Sequence, residues 1–405
     1  MSFQQGLSGL NASSKNLEVI GNNIANANTF GAKTARAEFA AVYATTLNGT
    51  GTSHVGIGTT LQTVAQQFTQ GNVTSTANPL DLAINDGSGF FQVSDRSGTV
   101  SYTRNGQFKL DREGFIVNNA TDRLMGYAAD ANGTIQPGRL VPLQLPTGGI
   151  APSATTRVTM ELNFDARKAA IPSATPIDFA DAATYNNATS MTAYDAKGQE
   201  VAVSLYFRKS GADTWDIYAT ADGVSVNGPP ASPVTTLGFD PLNGQYASST
   251  SPSIPIPGLG NVVLDVSRST QYGSAYGITD LRPDGYAAGQ LGSITIGDNG
   301  IITAHYTNGR SQPAGQVELA SFRNPQGLQP LADNGWARTY ASGDPIHGAP
   351  GDGNFGVLQS YALEESNVDL TGELVNMITA QRIYQANAQT IKTQDQVLQT
   401  LVNLR

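Results

Sequence analysis

Cysteine is absent from all 405 residues, which excludes disulfides and thiolate metal sites. Charge is also scarce: Asp, Glu, Lys and Arg make up 14 % of the chain, against roughly 25 % in an average soluble protein. The net charge of −9 comes from 23 Lys and Arg against 32 Asp and Glu. No basic patch interrupts it, so no nucleic-acid partner is expected. A continuous apolar run of about 18 residues is missing as well, and membrane insertion is not expected. The opening Met1-Ser2-Phe3-Gln4-Gln5-Gly6-Leu7 has neither a positive n-region nor an apolar h-region. A cleaved secretory signal is therefore not expected, and export would leave this end in place.

Catalytic patterns are missing too. His54, His305 and His347 lie in separate segments with no carboxylate or thiol at ligand spacing, and isolated loop histidines are bystanders more often than ligands. No Gly-x-Ser-x-Gly elbow or His-Glu-x-x-His occurs. Gly31-Ala32-Lys33-Thr34 lacks the glycine spacing of a phosphate loop, and Asp280, Asp284 and Gly285 lack the alternating ligands and closing Glu of a calcium loop. Trp215 and Trp336 are too far apart in sequence to suggest a sugar platform. A secreted hydrolase or adhesin is disfavoured. The expectation is a non-enzyme with no cofactor and no metal.

What is present is glycine, 44 residues of it, together with neutral polar residues. Glycine at that level implies many turns, and a weakly charged surface repels its neighbours little, which suits packing against copies of itself. Phe3, Leu7, Leu10, Leu17 and Ile24 follow steps of four and three once Ser14 and Gly21 fill the gaps, the seam of a coiled coil. A helix over 2–26 is expected. Gly6, Gly9 and Gly21 each cost it about 1 kcal/mol relative to Ala, so it is expected to order only when a partner covers the stripe. From Ser366 to Leu404 no proline occurs, and Ser366 with Asp369 reads as a capping box. Leu370, Leu374, Met377, Tyr384, Ala388, Ile391 and Leu398 keep the four-three spacing, while Gln385, Gln389, Gln394, Gln396 and Gln399 mark the other face.

Between the helices the period becomes two. Leu80, Leu82 and Ile84 alternate with Asp81, Ala83 and Asn85, and Asn85-Asp86-Gly87, Asn105-Gly106 and Glu113-Gly114 supply turns. A Pro-, Ser- and Thr-rich stretch over 146–284 carries 8 Lys and Arg against 13 Asp and Glu, a balance of −5 that suits an exposed insert. The expected fold is mainly β, with two nested β-rich domains and N- and C-terminal α-helices pairing as a coiled coil. The expected parts are a terminal helical domain (1–28 with 364–405), a connecting segment (29–71 with 356–363), an inner β domain (72–145 with 285–355) and an inserted outer β domain (146–284).

Gly21-Asn22-Asn23-Ile24-Ala25-Asn26-Ala27-Asn28-Thr29-Phe30-Gly31-Ala32-Lys33 resembles the signature of the flagellar rod-and-hook axial proteins. Ala32 stands where that family usually has an aromatic. Asp81 through Phe91 with Tyr102-Thr103-Arg104-Asn105-Gly106 is similar to the family's inner β domain. Asp284-Gly285-Tyr286-Ala287-Ala288-Gly289, Tyr306-Thr307-Asn308-Gly309 and the run from Leu363 through Ser366, Asn367, Val368 and Asp369 to Asn387 look like its hook branch. The large insert also favours hook over the alternative, a distal rod subunit. The resemblance implies a homopolymer whose terminal helices line an export channel, forming a curved tube that passes motor torque to the filament. It implies as partners the distal rod protein, the hook cap, the hook–filament junction protein and the flagellar type III export apparatus. It places the protein outside the cell, in the hook attached to the basal body.

Overall fold

The computed structural model describes residues 2–43, 56–130, 133–172, 175–248 and 250–403. It is mostly β, with one helix at each end: α1, Ser2–Ala25, and α2, Leu370–Asn403. The chain divides into two compact units. The first comprises Met1–Thr147, Ile294–Ala304 and Gln312–Arg405, and the second comprises Gly148–Ser293 and His305–Ser311.

In the first unit, α1 leads into an antiparallel hairpin of β1 (Ala35–Tyr43) and β2 (Gly56–Gln66), with Ala35 opposite Gln66. Beyond it, strands distant in sequence are interleaved. Phe90–Ser94 lies between Val100–Thr103 and Leu319–Ser321, Leu82–Asn85 pairs with Val357–Ser360, and Val73–Ser75 pairs with Ala362–Glu364. Period two explains how neighbouring aromatics serve two cores. Phe91 packs with Leu82, Ile84, Leu124 and Leu319. Phe90 faces the opposite way, into an edge-to-face cluster with Phe68, Phe322 and Trp336 whose ring centroids lie 5.4–6.0 Å apart.

The second unit has two five-stranded sheets. Arg157–Asp165 is central to one and pairs parallel with Gly260–Asp265 and antiparallel with Gly277–Pro283. Glu200–Lys209 lies between Asn187–Tyr194 and Thr214–Ala221 in the other. Alternate residues of both sheets, Val158, Met160, Leu162 and Phe164 with Val203, Leu205, Phe207, Trp215 and Ile217, form one buried core. This is the inward half of a sandwich pattern. Buried Trp215 directs its indole N–H to Gln271 Oε1 at 2.7 Å, so its polar atom is satisfied inside that core.

Two expectations about the ends are corrected. First, α1 is formed in the single chain, against α2 and the β1–β2 hairpin, without a second copy. Gln5 Nε2 donates to Gly56 O (2.6 Å), and Thr59 N donates to Ser8 Oγ (3.3 Å). Tertiary packing of this kind carries most helix stability in proteins. Second, the N-cap of α2 is Asp369, whose Oδ1 accepts from Thr371 N at 3.0 Å; it is not Ser366. The cause is Asn367, whose side chain is held by three neighbours. Its Oδ1 accepts from Thr34 N and Thr34 Oγ1, and its Nδ2 donates to Gln67 O and to Thr69. That clamp delays the helix until the residue after Asp369.

Candidate assembly surface

The two terminal helices run antiparallel, with Gly6 beside Ile391 and Asn23 beside Glu373. At Gly6 and Gly9 α2 comes close. A β-carbon on Gly6 would sit 3.0 Å from Ile391 Cγ1, and one on Gly9 would sit 2.8 Å from the Asn387 amide. The seam therefore uses small and polar residues. Gly6, Ser13 and Ile20 are buried at strict heptad spacing, followed by Asn23 and met by buried Ala380. Ser13 Oγ satisfies itself on Gly9 O at 2.8 Å.

This seam lies one residue, about 100° of helix rotation, away from the apolar row read in the sequence. Of the residues named there, Phe3 (47 %), Leu7 (44 %), Leu370, Leu374, Tyr384 and Leu398 (50 %) are exposed, and Leu10, Leu17, Ile24, Met377 and Ile391 are half-buried. Val375, Ile378, Ile383, Val397 and Val402 extend the exposed apolar surface of α2. With Gly6 opposite Ile391, the final turns of α2 run past the start of α1. The chain thus closes its own helix pair largely through glycine, serine, alanine and asparagine with Ile20 and Ile391, and leaves much of the large apolar side-chain area uncovered.

The motif residues act as the joint between these helices and the β structure. Asn23 behaves like a strand neighbour: its Oδ1 accepts from Ala35 N (2.9 Å), its Nδ2 donates to Ala35 O (2.8 Å), and that Nδ2 also reaches Glu373 Oε1 (3.3 Å). Asn26 Nδ2 donates back to Asn22 O, and Thr29 N donates to Asn26 O, which ends α1 in a tight turn. Gly31 has φ +71°, and a β-carbon there would collide with the Arg104–Asn105 peptide; only glycine fits. Ile24 is half-buried, Ala25 is exposed, and Ser366 Oγ accepts weakly from Val368 N at 3.4 Å.

The joint contains a charge cluster that sequence reading missed. Glu364 is fully buried, with Lys33 Nζ 2.5 Å from Oε1 and Arg104 Nη1 3.1 Å from Oε2. Gly71 N donates to the same Oε1, and Gly31 N to the Glu364 carbonyl. Burial pushes the pKa of both the Lys33 ammonium and the Arg104 guanidinium down, and the Glu364 charge opposes that push. Three motif segments, around residues 31–34, 102–106 and 363–367, are thereby fastened to one carboxylate. The only sequence signal was a lone cation in each of the first two segments, Lys33 and Arg104, and a Glu364–Glu365 pair in the third, in an otherwise charge-poor chain.

A second pairing also went unread. His347 Nδ1 lies 2.6 Å from Glu318 Oε1, and Glu318 Oε2 is buried without a partner among the described residues. Twenty-nine residues separate the two in sequence, so no local spacing could reveal them. His305 Nδ1 lies 2.7 Å from Ser311 Oγ; His54 lies outside the described residues. Among the described residues, no group of His, Asp and Glu is arranged to hold a metal ion, and no helix is long and apolar enough to cross a membrane.

Comparison with known proteins places these features in context. Family models match four stretches: "Flagella basal body rod protein" over 3–33, "Flagellar hook protein FlgE/F/G D1 domain" over 83–163, "Flagellar basal body protein FlaE D2 domain" over 162–286, and "Flagellar basal body rod FlgEFG protein C-terminal" over 359–404. The chain is 42 % identical to the flagellar hook protein FlgE of Salmonella typhimurium and 41 % identical to that of Escherichia coli, each over the full length of both proteins. It is 32 % identical to FlgE of Borreliella burgdorferi, covering all of this chain and 99 % of that one. The crystal structure of Helicobacter pylori flagellar hook protein FlgE2 has the same fold, with TM-score 0.57 at 15 % identity, covering 72 % of this chain and all of that one. With full-length identity above 40 % and motifs matched at both ends, this chain belongs to the flagellar hook protein family.

Proposed function

We propose that copies of this chain polymerise into the short curved tube of the flagellar hook, a flexible joint that carries torque from rod to filament. In this reading α1 and α2 line the tube, the β1–β2 hairpin connects them outward, and the β domains form the outer layers, with 146–284 as the outermost insert. The observation that carries the reading is the uncovered apolar row on the paired helices, from Phe3 and Leu7 to Leu370, Leu374 and Leu398. Burying a side chain of that size contributes about 1.5–3 kcal/mol, so many copies closing around a common axis gain what one chain forgoes.

The same reading supplies the partners. The distal rod protein meets the tube's base, the hook cap sits over its growing end, and the junction protein joins it to the filament. The flagellar type III export apparatus delivers the chain unfolded, with its N-terminus intact. A straight distal rod is the weaker reading, given full-length identity to hook proteins in several organisms. Bending requires neighbouring outer domains to slide, which the polar, weakly charged character of the insert favours. Electron micrographs of polymers grown from the purified chain test the proposal: curved tubes are expected, and straight tubes or amorphous aggregates would overturn it.

A further inference from the structure

We propose that the hollow between α1, α2 and the start of β1 is a socket for the Arg382 side chain of a second copy, with Glu373 as its recognition group. This rests on the polymer reading above and assigns one specific contact within it. The hollow has a volume of about 410 Å³ and is walled by Val19, Ile20, Ala380 and Ile383, with Asn23, Arg36 and Glu373 among its polar groups; Arg36 is already paired with Glu38 at 2.6 Å, which leaves Glu373 as the uncompensated charge. Glu373 Oε1 accepts from Asn23 Nδ2, a long bond at 3.3 Å, whereas its other oxygen, Oε2, is buried and has no partner among the described residues. A buried carboxylate oxygen left unsatisfied is costly, so a donor supplied from outside gains unusually much. An apolar wall beside a carboxylate suits a side chain with an aliphatic stem and a cationic head.

The chain carries such a group on the surface argued to meet other copies. The helical ends have three cations among the described residues, Lys15, Arg382 and Lys392. Lys15 is already engaged with Glu18 at 2.7 Å. Arg382 and Lys392 are exposed and form no ion pair among the described residues. Helical spacing sets them apart. Arg382 continues the row of Val375 and Ile378, both more than half exposed, at steps of three and four. Lys392 lies further along, beyond Gln385 and Gln389. Two apolar side chains followed by a guanidinium match a socket with an apolar wall and the Glu373 carboxylate, the one cation in the lining, Arg36, being paired with Glu38. The planar fork of arginine also offers paired donors to a carboxylate, which an ammonium does not. Arg382 cannot pair with Glu373 of its own chain: it lies nine residues away on the same helix, roughly 13 Å along the axis.

Charge exchange in the full-length chain tests this. Arg382→Glu sets two carboxylates against each other in the polymer, and Glu373→Arg sets two cations. Each should raise the critical concentration for tube growth at least about tenfold, the scale of losing a buried interfacial charge partner. The double variant, Glu373→Arg with Arg382→Glu, reverses the pair and should recover most of that loss. Monomer circular dichroism and melting provide the fold control. Because Arg382 is exposed, its variant should melt like the wild type, so its result stands even if Glu373→Arg misfolds. Wild-type growth of Arg382→Glu, or a double variant no better than the worse single, overturns the socket. If Lys392→Glu has the effect instead, the occupant is misassigned and the proposal fails. Failure of the unaltered chain to form tubes would instead count against the polymer reading itself.

Discussion

Lys33 Nζ lies 2.5 Å from Glu364 Oε1 across 331 residues of sequence, and Arg104 holds the other carboxylate oxygen. The pair ties the segment leaving α1 to the segment entering α2, so both helices depart from one fixed point. Buried ion pairs of this kind contribute less to net stability than to a single defined geometry, but removing one partner strands the rest. Glu364→Ala should therefore lower the unfolding free energy by about 3–5 kcal/mol, read by urea denaturation of the monomer. A loss below about 1 kcal/mol would mean that the two cations find other partners or water.

Helix contact at Gly9 should be sensitive to size, and helix propensity at Gly21 should be free to improve. Gly9→Leu pushes against Asn387 and should open the seam, seen as faster amide exchange along α1. A β-carbon on Gly21 meets nothing within 4 Å, so Gly21→Ala should slow exchange there, with a gain of up to about 1 kcal/mol. Equal behaviour of the two variants would contradict the seam assigned here.

How far the sequence reveals the molecule depends on whether a feature is local. The extent of α1, the period-two strands and the turn at Asn85-Asp86-Gly87 are legible because spacing alone encodes them, whereas the start of α2 is set by the distant partners of Asn367. The apolar row on α1 and α2 is legible for the same reason. Its use is not, because the row was read as the helix–helix seam, and in the folded chain Gly6, Ser13 and Ile20 take that place. Of the three glycines that weaken an isolated α1, Gly6 and Gly9 turn out to be points of close approach, whereas Gly21 does not. Glu364 and Glu318 are invisible for a different reason: their partners lie 29 to 331 residues away, and nothing local distinguishes a carboxylate bound for the interior.

Protonation of Glu318 and His347 should couple to stability. Burial pushes the Glu318 carboxyl up, with His347 opposing, and the bond to Glu318 pushes the His347 imidazole up. Tyr102 and Tyr127 are pushed up mainly by burial and secondarily by the Glu318 charge. Glu318 and His347 both hold protons more tightly when folded, so stability falls as pH rises through their range. The His347 contribution is complete below its unfolded value near 6.5 and is lost as pH passes its higher folded value. The Glu318 contribution fades above about 4.5 in the same direction. Melting temperature should decline from pH 6 to 8, modestly because the imidazole is partly exposed. Glu318→Gln should flatten that decline. A wild-type melting temperature that rises over this range would contradict the pairing.

Exposed apolar residues on α2 should matter to assembly and not to folding. Leu374→Ser and Leu398→Ser remove area that the single chain leaves uncovered, so monomer melting should stay within about 0.5 kcal/mol of wild type. Tube growth should need several-fold more protein. Unchanged growth of the double variant would remove the apolar row from the assembly surface.

Removal of both helical ends tests the account most directly. A chain spanning 29–369 keeps Lys33, Arg104, Glu364 and Asn367 together and loses only α1 and α2, so its β structure should melt close to the full-length monomer. Sedimentation and electron microscopy under conditions where the full chain forms tubes should find this shortened chain soluble and monomeric. Tubes assembled from 29–369 would contradict the claim that the paired terminal helices drive polymerisation.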